Sequence, residues 1–134
     1  MADIEFLRVR EYKDLSLTMG KHPVTADVIA VTGADAVKRS IKNLLYTLVG
    51  ETPFFPTFGS TIHQLLFEPI DPITITSLDS SIRATLDTFE PRISITKLLI
   101  TPTPDELQFR VDLEFLMKNV PEPITLSVFL KRLR

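Results

Sequence analysis

Apolar residues recur at helical spacing through the middle of this chain and at strand spacing through its last third. Val37, Ile41, Leu44, Leu45 and Leu48 fall at i, i+4, i+7, i+8 and i+11, one stripe of an amphipathic helix. Lys38, Arg39 and Lys42 lie off that stripe. Thr32-Gly33-Ala34-Asp35 resembles a capping box with Asp in place of Glu. Gly50 is placed to end the helix in a left-handed conformation. Glu51 to Pro56 reads as a loop, with two prolines and the pair Phe54-Phe55. Gly59 and Ser60 open a short helix with Ile62, Leu65 and Leu66 inward, and Phe67-Glu68-Pro69 ends it. Pro72 is expected to keep 69–73 non-helical. Thr76-Ser77-Leu78-Asp79 is a second box of the same type. Its helix carries Leu78, Ile82, Leu86 and Phe89 on one face until Pro91 forbids continuation.

From Ile93 the period is 2. Ile93-Ser94-Ile95-Thr96-Lys97 alternates, and Thr101-Pro102-Thr103-Pro104-Asp105 reads as a turn. Leu107, Phe109, Val111, Leu113, Phe115 and Met117 then alternate with Gln108, Arg110, Asp112, Glu114, Leu116 and Lys118. That is the pattern of a half-buried strand in an antiparallel sheet. Asn119 to Pro123 reads as a second turn, followed by a strand with Ile124, Leu126, Val128 and Leu130 on one face. Residues 1–27 lack strong periodicity. Tyr12 and the pair Leu15/Leu17 are candidates to tack this arm to the body, Lys21-His22-Pro23 reads as a turn, and Val28-Ile29-Ala30-Val31 as a short strand. Helices followed by strands indicate the α+β class: about three helices packed on one face of a three-stranded antiparallel meander formed by the C-terminal half. The expected organisation is a single domain over 1–134, with an N-terminal arm at 1–27, a mainly helical part at 28–90 and the meander at 93–134.

Composition narrows the chemistry. At 134 residues the chain suits one core without staples. A net charge of −2, from 15 basic and 17 acidic residues, argues against a nucleic-acid binder. With no cysteine, disulfides and thiolate metal sites are excluded. No apolar run approaches the roughly 20 residues that span a bilayer. Met1-Ala2-Asp3-Ile4-Glu5 carries acids where a signal peptide needs bases, so synthesis and retention in the cytoplasm are expected.

Catalytic patterns are thin. His22 and His63 come with no metal-ligand spacing. No Gly-rich phosphate loop and no GxSxG elbow occurs. Glu51, Glu68 and Glu90 each sit at a helix end or loop, and two of them could meet as the acid and base of a cell-wall (peptidoglycan) hydrolase. A sugar-binding aromatic set is missing, since the chain has no Trp and two Tyr. Docking features are more prominent. Phe89-Glu90-Pro91-Arg92 stands where a helix stops and a strand begins. Pro91 fixes its own φ and pushes Glu90 toward extended backbone. This elbow displays a carboxylate and a bidentate guanidinium to a partner, is a helix stop with solvated charges, or braces the monomer's own core through Glu90 and Arg92. Phe54, Phe55 and Phe58 lie within five residues of loop and form a local mini-core or, where exposed, a partner patch. The last strand is expected at a sheet edge, and Thr125 to Leu130 carries neither proline nor charge. Either residues 1–27 cover it or a strand from another chain does.

Several short stretches fall into one order: Asn43 to Thr47, Gly50-Glu51, Pro53-Phe54, Phe58-Gly59-Ser60, Leu65-Leu66-Phe67-Glu68, Glu90-Pro91-Arg92 and a sheet ending in Leu133-Arg134. From about Leu15 to the C-terminus the chain resembles the baseplate wedge protein family of contractile phage tails, which also acts as sheath initiator and has relatives in bacteriocins and type VI secretion baseplates. The resemblance implies a structural virion protein of the tail baseplate, assembled in the host cytoplasm; the residues themselves offer no basis for enzymatic activity, and no cofactor is expected. Its implied partners are baseplate wedge proteins and the tail sheath protein, with tail tube or hub proteins as further contacts, and neither nucleic acid nor membrane. It assigns wedge docking to Glu90, Pro91 and Arg92, joined by Glu51 and Phe54. It assigns the sheath-facing strand to about Ile124–Arg134, with Thr125, Ser127, Val128, Phe129, Lys131 and Arg132 as contact residues. Thr52 departs from the family pattern, where Arg often follows Gly-Glu, which puts any contact of that Arg in doubt.

Overall fold

The computed structural model describes residues 13–15, 20, 23–24, 30–118 and 120–132. They divide into two units, residues 1–37 and 38–134. In the first, β1 (Lys13–Leu15) pairs antiparallel with β2 (Ala30–Thr32), Asp14 standing opposite Val31. The expected strand at 28–31 therefore exists at its C-terminal end. Val28 and Ile29 lie outside the described residues, as do Tyr12, Leu17, Lys21, His22, Leu133, Arg134 and the Thr32 side chain.

Helix α1 (Gly33–Tyr46) runs from the first unit into the second. In the second unit Ile41, Leu44 and Leu45 are buried, as the stripe requires. Leu48 is not: the helix stops at Tyr46, and Leu48 is 44% exposed. A long-range pairing outcompetes the last helical turn. The Ser60 N–H donates to the Thr47 carbonyl at 2.9 Å, and Leu48 bridges Ser60. Gly50 is left-handed, with φ of 90°, but as part of this loop rather than as the helix stop. Short α2 (Ile62–Leu65) turns Ile62 and the following Leu66 inward.

The expectation that Pro72 keeps 69–73 non-helical is wrong. Helix α3 (Pro72–Phe89) begins at that proline. Proline is tolerated at the first helical position, where its missing N–H has no intrahelical partner to lose. Asp71 caps the helix, its carboxylate accepting the Thr74 N–H at 2.7 Å. Thr76 to Asp79 lies inside the helix, and the Thr76 hydroxyl donates back to the Pro72 carbonyl. The apolar face is as expected, with Leu78, Ile82 and Leu86 fully buried.

Three antiparallel strands follow in the order β3 (Ile93–Thr103), β4 (Gln108–Met117), β5 (Val120–Lys131). With helices preceding this meander, the fold is α+β. Both expected turns are shorter than the sequence suggested. Strand β3 continues through Pro102 to Thr103, and the reversal is a 3₁₀ turn at Pro104–Glu106 closed by left-handed Leu107. Strand β5 starts at Val120, so Pro121 and Pro123 lie within it; Asn119 is outside the described residues. Prolines fit here because β3 and β5 are the outer strands of the sheet among the described residues, where an outward N–H is dispensable. The register shifts between Ile95 and Lys97. This bulge moves Lys97 out of phase with Ile93 and Ile95 and aligns Ile100 with buried Val111. One sheet face is therefore apolar throughout. Phe109, Val111, Leu113, Phe115 and Met117 of β4 are buried on it with Val128 and Leu130 of β5. Each such side chain stabilises by about 1.5–3 kcal/mol relative to exposure.

Candidate assembly interface

Glu90 caps α3 with φ −125° and ψ 71°, outside the helical region, while its N–H still bonds the Leu86 carbonyl. Pro91 keeps Glu90 out of the helical region. The side chain turns inward and is 2% exposed. Arg92 engages it in a fork: Nε donates to Oε1, and a terminal guanidinium nitrogen to Oε2 at 2.7 Å. Ser40 of α1 donates its hydroxyl to Oε2 at 2.6 Å. The Arg92 carbonyl accepts the Lys118 N–H at 3.1 Å, fastening the elbow to the end of β4. The elbow therefore does not display a carboxylate: the readings of Glu90 as a partner contact and as a solvated charge are corrected, and the geometry is that of a brace within the monomer. A carboxylate taken from water needs charge and hydrogen bonds to compensate. The nearest cation two residues on and a hydroxyl from α1 supply them. Pro91 is exposed and Arg92 is 28% exposed.

The loop from Thr47 to Ser60 stands beside this elbow. Phe58 packs edge-on against Phe89, with ring centroids 5.3 Å apart. Phe54 and Phe55 point away, 94% and 64% exposed. The aromatic cluster thus divides into one inward ring and two outward ones. Glu51 is exposed and accepts the Leu48 N–H at 3.0 Å, bracing the loop. Gly59 allows the chain to cross itself. With φ of 132°, a Cβ there would stand 2.7 Å from the Leu48 carbonyl carbon.

On the third surface, β5 pairs with β4 and with no other strand among the described residues. Arg132 donates its N–H to the Leu107 carbonyl at 2.8 Å. Hydrogen-bonded residues alternate along an antiparallel pair. Leu130, Val128, Leu126 and Ile124 therefore direct their amides to β4, while Lys131, Phe129, Ser127 and Thr125 direct theirs outward. Val128 is a core residue, 2% exposed, so of the sheath-strand set it offers neither side chain nor backbone to a partner. Thr125, Ser127, Phe129 and Lys131 have exposed side chains. The Ser127 hydroxyl donates to Asp112 at 2.6 Å and, with Arg110, holds that carboxyl below its usual range. The outward carbonyl of Phe129 accepts the Tyr46 hydroxyl at 2.8 Å, and the Arg132 guanidinium reaches the Phe67 carbonyl at 3.4 Å.

The three glutamates do not converge on a common chemistry. Both oxygens of Glu90 are taken, Glu51 braces a turn, and Glu68 is exposed. No group of three acids, histidines or cysteines among the described residues is arranged to hold a metal. No described helix is long and apolar enough to cross a membrane. Sequence reasoning missed Ser40, Tyr46 and the tight approach at Gly59. Each depends on a neighbour distant in the chain, and periodicity carries no signal for it.

The family described as baseplate wedge protein gp25 matches residues 31–120. The chain is 28% identical over 113 residues to the baseplate wedge protein gp25 of Enterobacteria phage T4, covering 84% of this chain and 85% of that one. Similar folds occur in a Geobacter sulfurreducens protein proposed to be a tail lysozyme, with a TM-score of 0.70 and 24% identity over 75% of this chain and 91% of that one. They also occur in the baseplate of the anti-feeding prophage, with a TM-score of 0.64 and 18% identity over 92% of this chain and 88% of that one. The postcontracted baseplate of pyocin R2 gives a TM-score of 0.55 and 21% identity over 82% and 96%.

Proposed function

The chain belongs to the baseplate wedge protein gp25 family of contractile tails, and from that premise we propose that it joins the wedge to the first ring of sheath through two separate surfaces. The observation that carries this reading is the form of β5. It is an edge strand with an apolar inner face, and its outward amides at Thr125 and Ser127 have no partner among the described residues. Such an edge is a template for a strand from another chain. On this reading the added strand comes from the tail sheath protein.

The wedge-facing surface combines the elbow with the loop beside it. Glu90 acts from beneath, fixing Arg92 rather than touching a partner itself. Pro91, Arg92, Glu51 and the exposed rings of Phe54 and Phe55 form the contact. Aromatic side chains presented this openly fit the anchors of an interface core. Other baseplate proteins, including tube or hub components, are the further partners this placement allows.

Thr125→Pro tests the sheath role. It removes an outward N–H while leaving the β4 ladder intact. Baseplates carrying it should assemble and fail to nucleate sheath. Normal sheath growth on them would sink the reading.

A peptidoglycan hydrolase is the reading the geometry supports less, because Glu90 is engaged by Ser40 and Arg92. The likeness to the Geobacter protein bears on the fold alone. Purified chain should release no more peptidoglycan fragments than buffer does. Release that disappears in Glu51→Gln or Glu68→Gln would make the protein an enzyme.

A further inference from the structure

We propose that Tyr46 limits the length and sets the register of the strand that β5 accepts. The proposal rests on the reading of β5 as an assembly edge. Along that edge the outward backbone groups belong to Thr125, Ser127, Phe129 and Lys131, and they are not equivalent. Thr125 and Ser127 are open among the described residues. At Phe129 the outward carbonyl is occupied by the Tyr46 hydroxyl at 2.8 Å. Beyond it, the Arg132 guanidinium reaches the Phe67 carbonyl at 3.4 Å. The edge is open at Thr125 and Ser127 and occupied at the Phe129 carbonyl.

Tyr46 is held in place from behind. It is the last residue of α1, and Nε2 of His63 lies 3.1 Å from its carbonyl. With His63 donating from Nε2, Nδ1 is an acceptor, and it is buried without a partner among the described residues. Tyr46 and His63 line a cleft of about 250 Å³ with Leu66, Phe129, Leu130 and Lys131. The Tyr46 ring thus stands across the sheet edge where the next outward rung would form. An added strand can pair with Thr125 and Ser127 and then meets the ring. Two outward rungs give a short, in-phase contact, and the obstacle fixes which residue of the partner lies opposite Ser127. The partner is an extended segment of another polypeptide. Its terminal side chain would be apolar, because it abuts Tyr46 and the half-exposed Phe129.

The chain has no cysteine, so single cysteines report pairing without background. Thr125→Cys and Lys131→Cys, each carrying a thiol-anchored photocrosslinker, are assembled into baseplates and mixed with purified sheath subunits. Crosslinking to sheath is expected at position 125 and not at 131. Adding Tyr46→Phe, which keeps the ring, should raise the yield at 131 by roughly two- to tenfold, the range of one net hydrogen bond. Tyr46→Ala should raise it further. Equal yields at both positions with Tyr46 intact, or a yield at 131 unmoved by either Tyr46 variant, would overturn the register stop while leaving strand addition standing. Absence of crosslinks at both positions would overturn strand addition and the register stop with it.

Discussion

The Glu90 carboxylate is fastened by groups from two directions, the Arg92 fork and the Ser40 hydroxyl. This makes the Glu-Pro-Arg elbow a structural brace before it is anything else. Removing one member of a buried ion pair leaves an uncompensated charge and costs about 3–5 kcal/mol. Arg92→Ala should therefore lower stability by about that amount, read as a shift in the urea midpoint at unchanged slope. Arg92→Lys keeps the charge, loses the fork and should fall between the variant and the native chain. An unchanged midpoint in Arg92→Ala would show that the elbow is not a brace. Any loss of wedge docking in these variants must be read against that stability change, because fold and interface share the same guanidinium.

Two elements owe their behaviour to groups at their ends and edges. Helix α3 begins where Asp71 accepts the Thr74 N–H, and that hydrogen bond holds the Asp71 carboxyl below its ordinary value of 3.8. Asp112, bonded by Ser127 and Arg110, is lowered in the same sense. A carboxyl with a depressed folded pKa contributes stability that is present above the unfolded value. The contribution is lost as pH falls through the folded one. The melting temperature should therefore begin to fall near pH 4, the ordinary carboxyl range, and continue falling below it. Asp71→Asn and Asp112→Asn together should flatten that acid limb; an unaltered limb would place the titrating groups elsewhere. On β5, alternation decides which proline is informative. Val128→Pro removes an N–H directed to β4 and a core side chain, so it should unfold the sheet edge. Thr125→Pro should leave the melting temperature within a few degrees of native.

At the scale of the molecule, the two proposed contacts use different parts of the fold and should be separable. Phe54 is 94% exposed, so Phe54→Ser removes apolar contact area without opening a cavity. Its melting curve should match native, and its co-purification with wedge proteins should drop. Sheath nucleation by any baseplate that still incorporates it should be intact. A Phe54→Ser chain that enters baseplates as well as native would remove the loop from the interface. Thr125→Pro should show the reverse pattern, normal incorporation and no sheath.

Local periodicity carries most of the elements and their faces. The 3.6-residue stripe through Ile41, Leu44 and Leu45, the apolar face of Leu78, Ile82 and Leu86, and the alternation through β4 each follow from local periodicity. That signal survives because every repeat buries the same side. Element ends were less legible, because they are contests between local and distant partners. Pro72 reads as a breaker until Asp71 is seen to cap it, and Leu48 reads as helical until Ser60 takes its place in the pairing. Lys97 shares the phase of Ile93 and Ile95, and only the bulge in register with β4 moves it out of that phase. The fate of the candidate residues was decided by the tertiary structure alone. Ser40 and Glu90 are 50 positions apart and Tyr46 and Phe129 are 83 apart, yet each pair shares one hydrogen bond. A single chain read in order holds the chemistry of such groups but not their distance, and burial of a charge or closure of a strand edge is a property of distance.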